Sequence, residues 1–195
     1  MTARFVLDGN KILREESANY CIDYLYSTSG LIGFKYNNEA YLYEKNIFGD
    51  IIRIYNNEGD IVGEYNYDAF GNVTIVTDIN GIATLNPFRY RGYYYDSDAG
   101  LYYLNHRYYD PSIGRFISPD DASYINPNNV NGLNIYAYCN DDPINFADPS
   151  GHILISLLIA GFVVGAVVAA TASVVTQGVT EGWDNINGWQ SYWME

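Results

Sequence analysis

Residues 89–120 read RYRGYYYDSDAGLYYLNHRYYDPSIGRFISPD. Eight tyrosines fall between Tyr90 and Tyr109, and four of the chain's seven arginines (Arg89, Arg91, Arg107 and Arg115) share the stretch. Tyrosine favours strands and combines an apolar body with a polar tip. Tyrosine faces beside guanidinium groups suit cross-strand stacking and cation–π pairing. Most of these side chains are therefore expected to pack a sheet.

Towards the N-terminus, residues 1–77 contain short alternating apolar segments: Leu31–Tyr36, Ala40–Tyr43, Ile51–Tyr55, Ile61–Tyr67 and Val73–Val76. Turn signals separate them at Asn37-Asn38, Gly49-Asp50, Asn57-Glu58-Gly59-Asp60 and Gly71-Asn72. Short strands at a spacing of about ten residues indicate an antiparallel β meander. A repeat runs through them: Asn46-Ile-Phe-Gly-Asp-Ile, Asn57-Glu-Gly-Asp-Ile-Val and Asp68-Ala-Phe-Gly-Asn-Val, with glycines at 49, 59 and 71. A repeated hairpin implies strands stacked into a quasi-linear sheet.

Towards the C-terminus, residues 133–152 read LNIYAYCNDDPINFADPSGH. The next run, Ile153–Val175, is apolar, and no charged residue lies between Asp148 and Glu181. It has the length of a membrane span. Gly161 and Gly165 form a GxxxG pair, a close-packing signal for helices in lipid. No Lys or Arg follows Arg115, so neither flank carries a positive anchor. Two readings stand: a membrane-active or membrane-spanning helix, and a helical pair buried in a larger protein. The three tryptophans of residues 181–195 suit an interface. The expected organisation is mainly β, with divisions at 1–77, 78–152 and 153–195, the last an apolar helical segment.

Composition narrows function. The 195 residues suffice for one ordinary domain or a small domain with appendages. With 23 Asp+Glu against 10 Lys+Arg the net charge is −13, which excludes a broad nucleic-acid-binding face. Apolar residues at 48% and charged residues at 17% exclude global disorder. Cys21 and Cys139 form no CxxC pair, and two histidines cannot build a His-rich metal site. No cofactor is implied, and the sequence leaves open whether the cysteines pair. The first residues, MTARFVLDGNKILREES, lack the apolar stretch of a signal peptide. A Tyr-rich, Gly-rich, acidic chain reads as extracellular-type β structure.

Residues 89–152 closely resemble the core segment of RHS (YD-repeat) proteins. The matching pieces are Arg91-Gly92-Tyr93, Asp96–Leu101, Tyr102-Tyr103-Leu104-Asn105 and Arg107-Tyr108-Tyr109-Asp110-Pro111. Gly114–Ser118, Leu133–Tyr138 and Asp148-Pro149-Ser150-Gly151 continue the match. The upstream repeats, including Tyr65-Asn66-Tyr67-Asp68 and Phe70-Gly71-Asn72-Val73, resemble YD repeats, so the likeness spans about residues 20–152.

This resemblance implies a secreted or cell-surface bacterial toxin whose repeats spiral into a hollow β shell. A variable toxin comes after the DPxG motif and is held inside. The implied partners are that C-terminal toxin region, the remainder of the shell and an immunity protein. In many RHS proteins the core is an aspartic autoprotease that frees the toxin. Matched residue by residue, the resemblance implies catalytic Asp120 after the GRF motif and Asp148 in the DPxG motif. Arg107 of the RYYDP motif supports them, and the cleaved bond is His152–Ile153. Two adjacent carboxylates cannot both ionise cheaply, so one takes a proton from water while the other donates to the peptide carbonyl. The pair titrates as a unit. A scissile bond in the same chain supports a single turnover without a substrate pocket.

This chain departs from the RHS pattern at Asp121-Ala122-Ser123, where Pro-x-Gly is frequent after the aspartate, and at His152, where Leu is usual. Residues Asn126–Asn131 resemble an inserted loop. Without the resemblance, Asp110, Asp142 and Asp148 read as turn residues before proline. The 43 residues from Ile153 onwards are too few for a convincing enzyme domain and carry no nuclease or deaminase constellation. The chain thus reads as a C-terminal fragment or degenerate copy of a longer shell protein: a carrier and release module, or a structural plug that does not cut. The alternative is a non-enzymatic adhesion or glycan-contact module with exposed tyrosines as platform, anchored in a membrane through residues 153–175.

Overall fold

A computed structural model describes residues 3–121, 133–152 and 155–156. Eight strands succeed one another as β1 (Arg4–Asp8), β2 (Lys11–Glu16), β3 (Cys21–Ser27), β4 (Gly30–Tyr36), β5 (Glu39–Lys45), β6 (Ile51–Tyr55), β7 (Ile61–Tyr67) and β8 (Val73–Asp78). They form a single antiparallel meander in chain order, as the alternation and turn signals predict. Asn37 and Asn38, both at positive φ, make the tight β4–β5 turn, a conformation Asn tolerates well.

The repeat is a single loop built three times. Asn46, Asn56 and Asp68 each accept, on one side-chain oxygen, the amides two and four residues ahead. The glycine three residues on, Gly49, Gly59 or Gly71, takes positive φ and donates its N–H back to the first residue's carbonyl. This is the Asx-turn chemistry of short polar side chains. The second copy therefore begins at Asn56, one residue before the Asn57 expected from sequence.

A second sheet has the order β12-β11-β10-β9, from β9 (Tyr94–Asp96), β10 (Leu101–Leu104), β11 (Arg107–Asp110) and β12 (Arg115–Phe116). Its alternation buries Tyr102, Leu104, Tyr109 and Phe116 and exposes Tyr103 and Tyr108. Tyr102 donates to the carbonyl of Gly71, Tyr109 to that of Phe70 and Tyr90 to that of Ala69. Two tyrosines of this sheet and Tyr90 just before it thus dock on the third repeat loop, with their hydroxyls satisfied at burial. The first repeat loop docks likewise: Asp50 accepts the Arg91 amide at 2.8 Å, and the Arg91 guanidinium lies over the Phe48 ring.

A short helix, α1 (Ile82–Leu85), packs on the meander, its first turn capped by the Asp78 carboxylate. Buried Asn86 joins it to the core by accepting from Tyr43 at 2.6 Å and donating to Tyr65 and to the Phe88 carbonyl. Strands β13 (Phe146–Ala147) and β14 (Ile155–Ser156) form a third, two-stranded antiparallel sheet. Residues 155–156, expected within an apolar helix, pair as this strand; the rest of the expected helix lies outside the described residues. Among the described residues no helix is long and apolar enough to cross a membrane. Cys21 is exposed, Cys139 is buried, and both are free.

Candidate functional site

Arg107 opens β11, opposite Leu104 across the β10–β11 hairpin. Strand alternation sends its side chain inwards, where it is 5% exposed against the Phe116 ring. A buried guanidinium demands partners for its donors. Nη1 donates to the Ile135 carbonyl at 3.2 Å, and Nε donates to the Gly151 carbonyl. Nη2 meets Asp120 Oδ2 at 2.8 Å and Asp148 Oδ2 at 3.4 Å. Burial pushes the Arg107 guanidinium below its ordinary pKa, while Asp120 and Asp148 pull the other way.

Each aspartate is delivered by backbone pairing. Asp120 closes a segment that runs beside residues 135–137: Phe116 N–H donates to Tyr136 and Asp120 N–H to Ile135. Asp148 comes directly after β13 and begins the loop to β14. Its Oδ1 accepts the Gly151 amide at 2.8 Å and the His152 amide at 3.0 Å. Gly151 takes φ +80°, and a Cβ there would stand 2.6 Å from the Leu104 carbonyl oxygen. Only glycine fits that approach.

The two carboxylates also converge on one residue. Asp148 holds the His152 amide, while His152 Nδ1 lies 2.6 Å from Asp120 Oδ1. The His152 ring packs on the His106 ring, centroids 4.6 Å apart. The structure thus brings together Asp120, Asp148, Arg107 and His152. Ile153 lies outside the described residues. Sequence reasoning gives Asn105 only as part of the family match and gives His106 no role; both touch the same loop, and their local signal is a two-residue polar interruption, Leu-Asn-His-Arg, between paired strands. Among the described residues no cluster of three or more His, Cys, Asp or Glu side chains is arranged to hold a metal ion.

Comparisons with known proteins agree with this architecture. The profile of the teneurin YD-shell family matches residues 13–144. A tRNA3(Ser)-specific nuclease WapA of Bacillus spizizenii is 39% identical over 160 residues, 80% of this chain and 7% of the nuclease. The toxin protein Tse5 of Pseudomonas aeruginosa is 38% identical over 76 residues, 39% of this chain and 5% of the toxin. The chain spans less than a tenth of the length of either of these two relatives. A solved TcdB2-TccC3-Cdc42 structure superposes with TM-score 0.61 over 83% of this chain and 8% of that one, at 22% identity, a likeness of fold.

Proposed function

From the premise that this chain belongs to the teneurin YD-shell family and is an RHS/YD-repeat, toxin-associated domain, we propose that it carries and releases a C-terminal passenger by one self-cleavage after residue 152. One observation carries the reading: the two aspartates share Arg107 Nη2 and both grip His152, the residue before the scissile bond.

In this reading a water oxygen bonds to the His152 carbonyl carbon. One carboxylate of the pair accepts a water proton; the other, protonated, donates to the carbonyl oxygen. As the C–N bond breaks, the proton taken from water passes to the Ile153 nitrogen and a hydroxyl proton of the intermediate returns to the carboxyl group that donated, leaving a His152 carboxyl group and a free amine with the pair restored. Arg107 holds the pair together by charge-assisted hydrogen bonds. The cut falls in the loop between β13 and β14, so among the described residues the released piece keeps only a two-residue strand pairing with the body. Under this reading the chain works outside the producing cell, with the rest of a shell and an immunity protein as partners; 153–175 is the segment that would meet a membrane. Asp148→Asn and Asp120→Asn test it. Each abolishes cleavage of the full chain if the reading holds; cleavage at wild-type rate in both contradicts it.

A second reading, a glycan or protein contact surface, rests on Tyr103 and Tyr108. They are exposed and their rings lie 5.2 Å apart. Tyr103→Ala with Tyr108→Ala would then abolish cell binding and leave cleavage untouched; unchanged binding contradicts it.

A further inference from the structure

Three consecutive side chains at the β10–β11 turn meet three consecutive carbonyls of the loop after β13. Asn105 Nδ2 donates to the Pro149 carbonyl at 3.1 Å. His106 Nδ1 lies 2.9 Å from the Ser150 carbonyl. Arg107 Nε donates to the Gly151 carbonyl. A carbonyl only accepts, so His106 carries its proton on Nδ1. Asn105, at φ +58°, turns the chain so that 105, 106 and 107 present their donors in succession.

We propose that this hairpin tip is a register clamp: it sets which peptide bond reaches the aspartate pair, with Asn105 and His106 as positioning residues. The inference rests on the self-cleavage reading. The clamp reads carbonyls 149, 150 and 151 in order, so the next carbonyl, that of His152, is the one delivered. Asp148 strengthens the register from the opposite side by taking the amides of Gly151 and His152. Every one of these hydrogen bonds is to backbone, and the one side-chain contact of the clamp is the packing of the His106 ring on the His152 ring. The hydrogen bonds therefore count residues from the hairpin, and the identity of residue 153 does not choose the bond. Neither Asn105 nor His106 touches the reacting atoms; both act by holding the strand that does. Asn105 is half-buried and His106 exposed, and neither belongs to the buried clusters around Phe34 and Tyr102.

The test is intact mass of the full-length chain over time, for wild type, Asn105→Ala with His106→Ala, His106→Asn and Asp148→Asn, with thermal unfolding of each. Asparagine places an amide donor where His106 Nδ1 stood. Wild type yields one fragment ending at His152, and Asp148→Asn yields none. The double alanine variant folds but cuts at least tenfold more slowly, or leaves fragments with mixed ends, and His106→Asn keeps the wild-type rate and terminus. A folded double alanine variant cutting at the wild-type rate with a single His152 end overturns the clamp while the self-cleavage reading stands. An alanine pair that does not fold moves the decision to His106→Ala alone, where a folded protein cutting at the wild-type rate with a single His152 end overturns the clamp. A wild type that stays whole overturns the self-cleavage reading and the clamp with it.

Discussion

His152 Nδ1 and Asp120 Oδ1 stand 2.6 Å apart, so the residue preceding the expected cut is tied by its own side chain to one of the two expected catalytic carboxylates. The other carboxylate holds its amide. Removing the ring leaves the amide contact in place. His152→Leu is expected to slow self-cleavage about tenfold, the worth of one charge-assisted hydrogen bond of about 1.5 kcal/mol, without moving the cut. Time-resolved intact mass checks it; an unchanged rate contradicts it.

Arg107 is where structure and chemistry are hardest to separate. It is 5% exposed and pairs with two carboxyl groups. Arg107→Met strands both in a buried place, which costs about 3–5 kcal/mol when one partner of a buried ion pair is lost. Arg107→Lys keeps a charge but cannot reach Gly151, Ile135 and both aspartates together. Expected outcomes are a large fall in unfolding free energy for Met, measured in urea, and loss of cleavage in both. A Met variant as stable as wild type would contradict this.

The docking of the two sheets turns on Gly71. It takes φ +92°, and a Cβ would stand 2.6 Å from Tyr90 Cδ1. Gly71→Ala is expected to destabilise by about 2–4 kcal/mol through backbone strain and displacement of the Tyr90 ring. Gly81→Ala is the control: it shares positive φ but meets open space. Equal losses in the two would show that the ring contact contributes nothing.

Alkaline pH acts in two opposite stages. Burial lowers Lys45 to about 8, so between that value and its unfolded value the unfolded chain binds more protons and stability rises with pH. Burial raises Tyr26 and Tyr65 to about 12. Their contribution is complete below their ordinary value near 10 and is lost as pH climbs through about 12. Burial also raises Cys139 from about 9 to about 12, which offsets Lys45 above pH 9, so unfolding free energy should climb between pH 8 and 9, level off and fall beyond pH 10. Lys45→Met should remove the climb and keep the fall. A wild-type profile flat from pH 8 to 9 contradicts the assignment.

Much of the meander is legible in the sequence because β4 to β8 are short apolar segments that the turn signals and the repeat punctuate, although only β8 alternates strictly in burial and β4 and β5 each bury four residues in a row. β1 is not individually legible: all its residues are exposed, so burial imposes no alternation on RFVLD. β2 hides a polar exception, Glu15, 4% exposed and held by the Tyr20 and Tyr24 hydroxyls. The second copy of the repeat starts one residue earlier than its sequence suggests, since Asn56 and Asn57 are chemically alike and only the side chain's backbone partners tell them apart. Asp120, Asp148 and Arg107 are legible through family resemblance alone. Their meeting joins hairpin, loop and strand ends across 28 and 41 residues of chain, and no local period records it. His106 leaves no more than a polar interruption between strands for the same reason: its partner, Ser150, is 44 residues away.

The central claim is that the Arg107-bridged aspartate pair cuts the chain after His152. Intact mass of the purified full-length protein, incubated alone and beside Asp148→Asn, tests it most directly. The account predicts a wild-type fragment spanning residues 1–152 and a mutant that stays whole. A wild type that remains a single species of full mass, or a mutant cut at the same bond and rate, would contradict it.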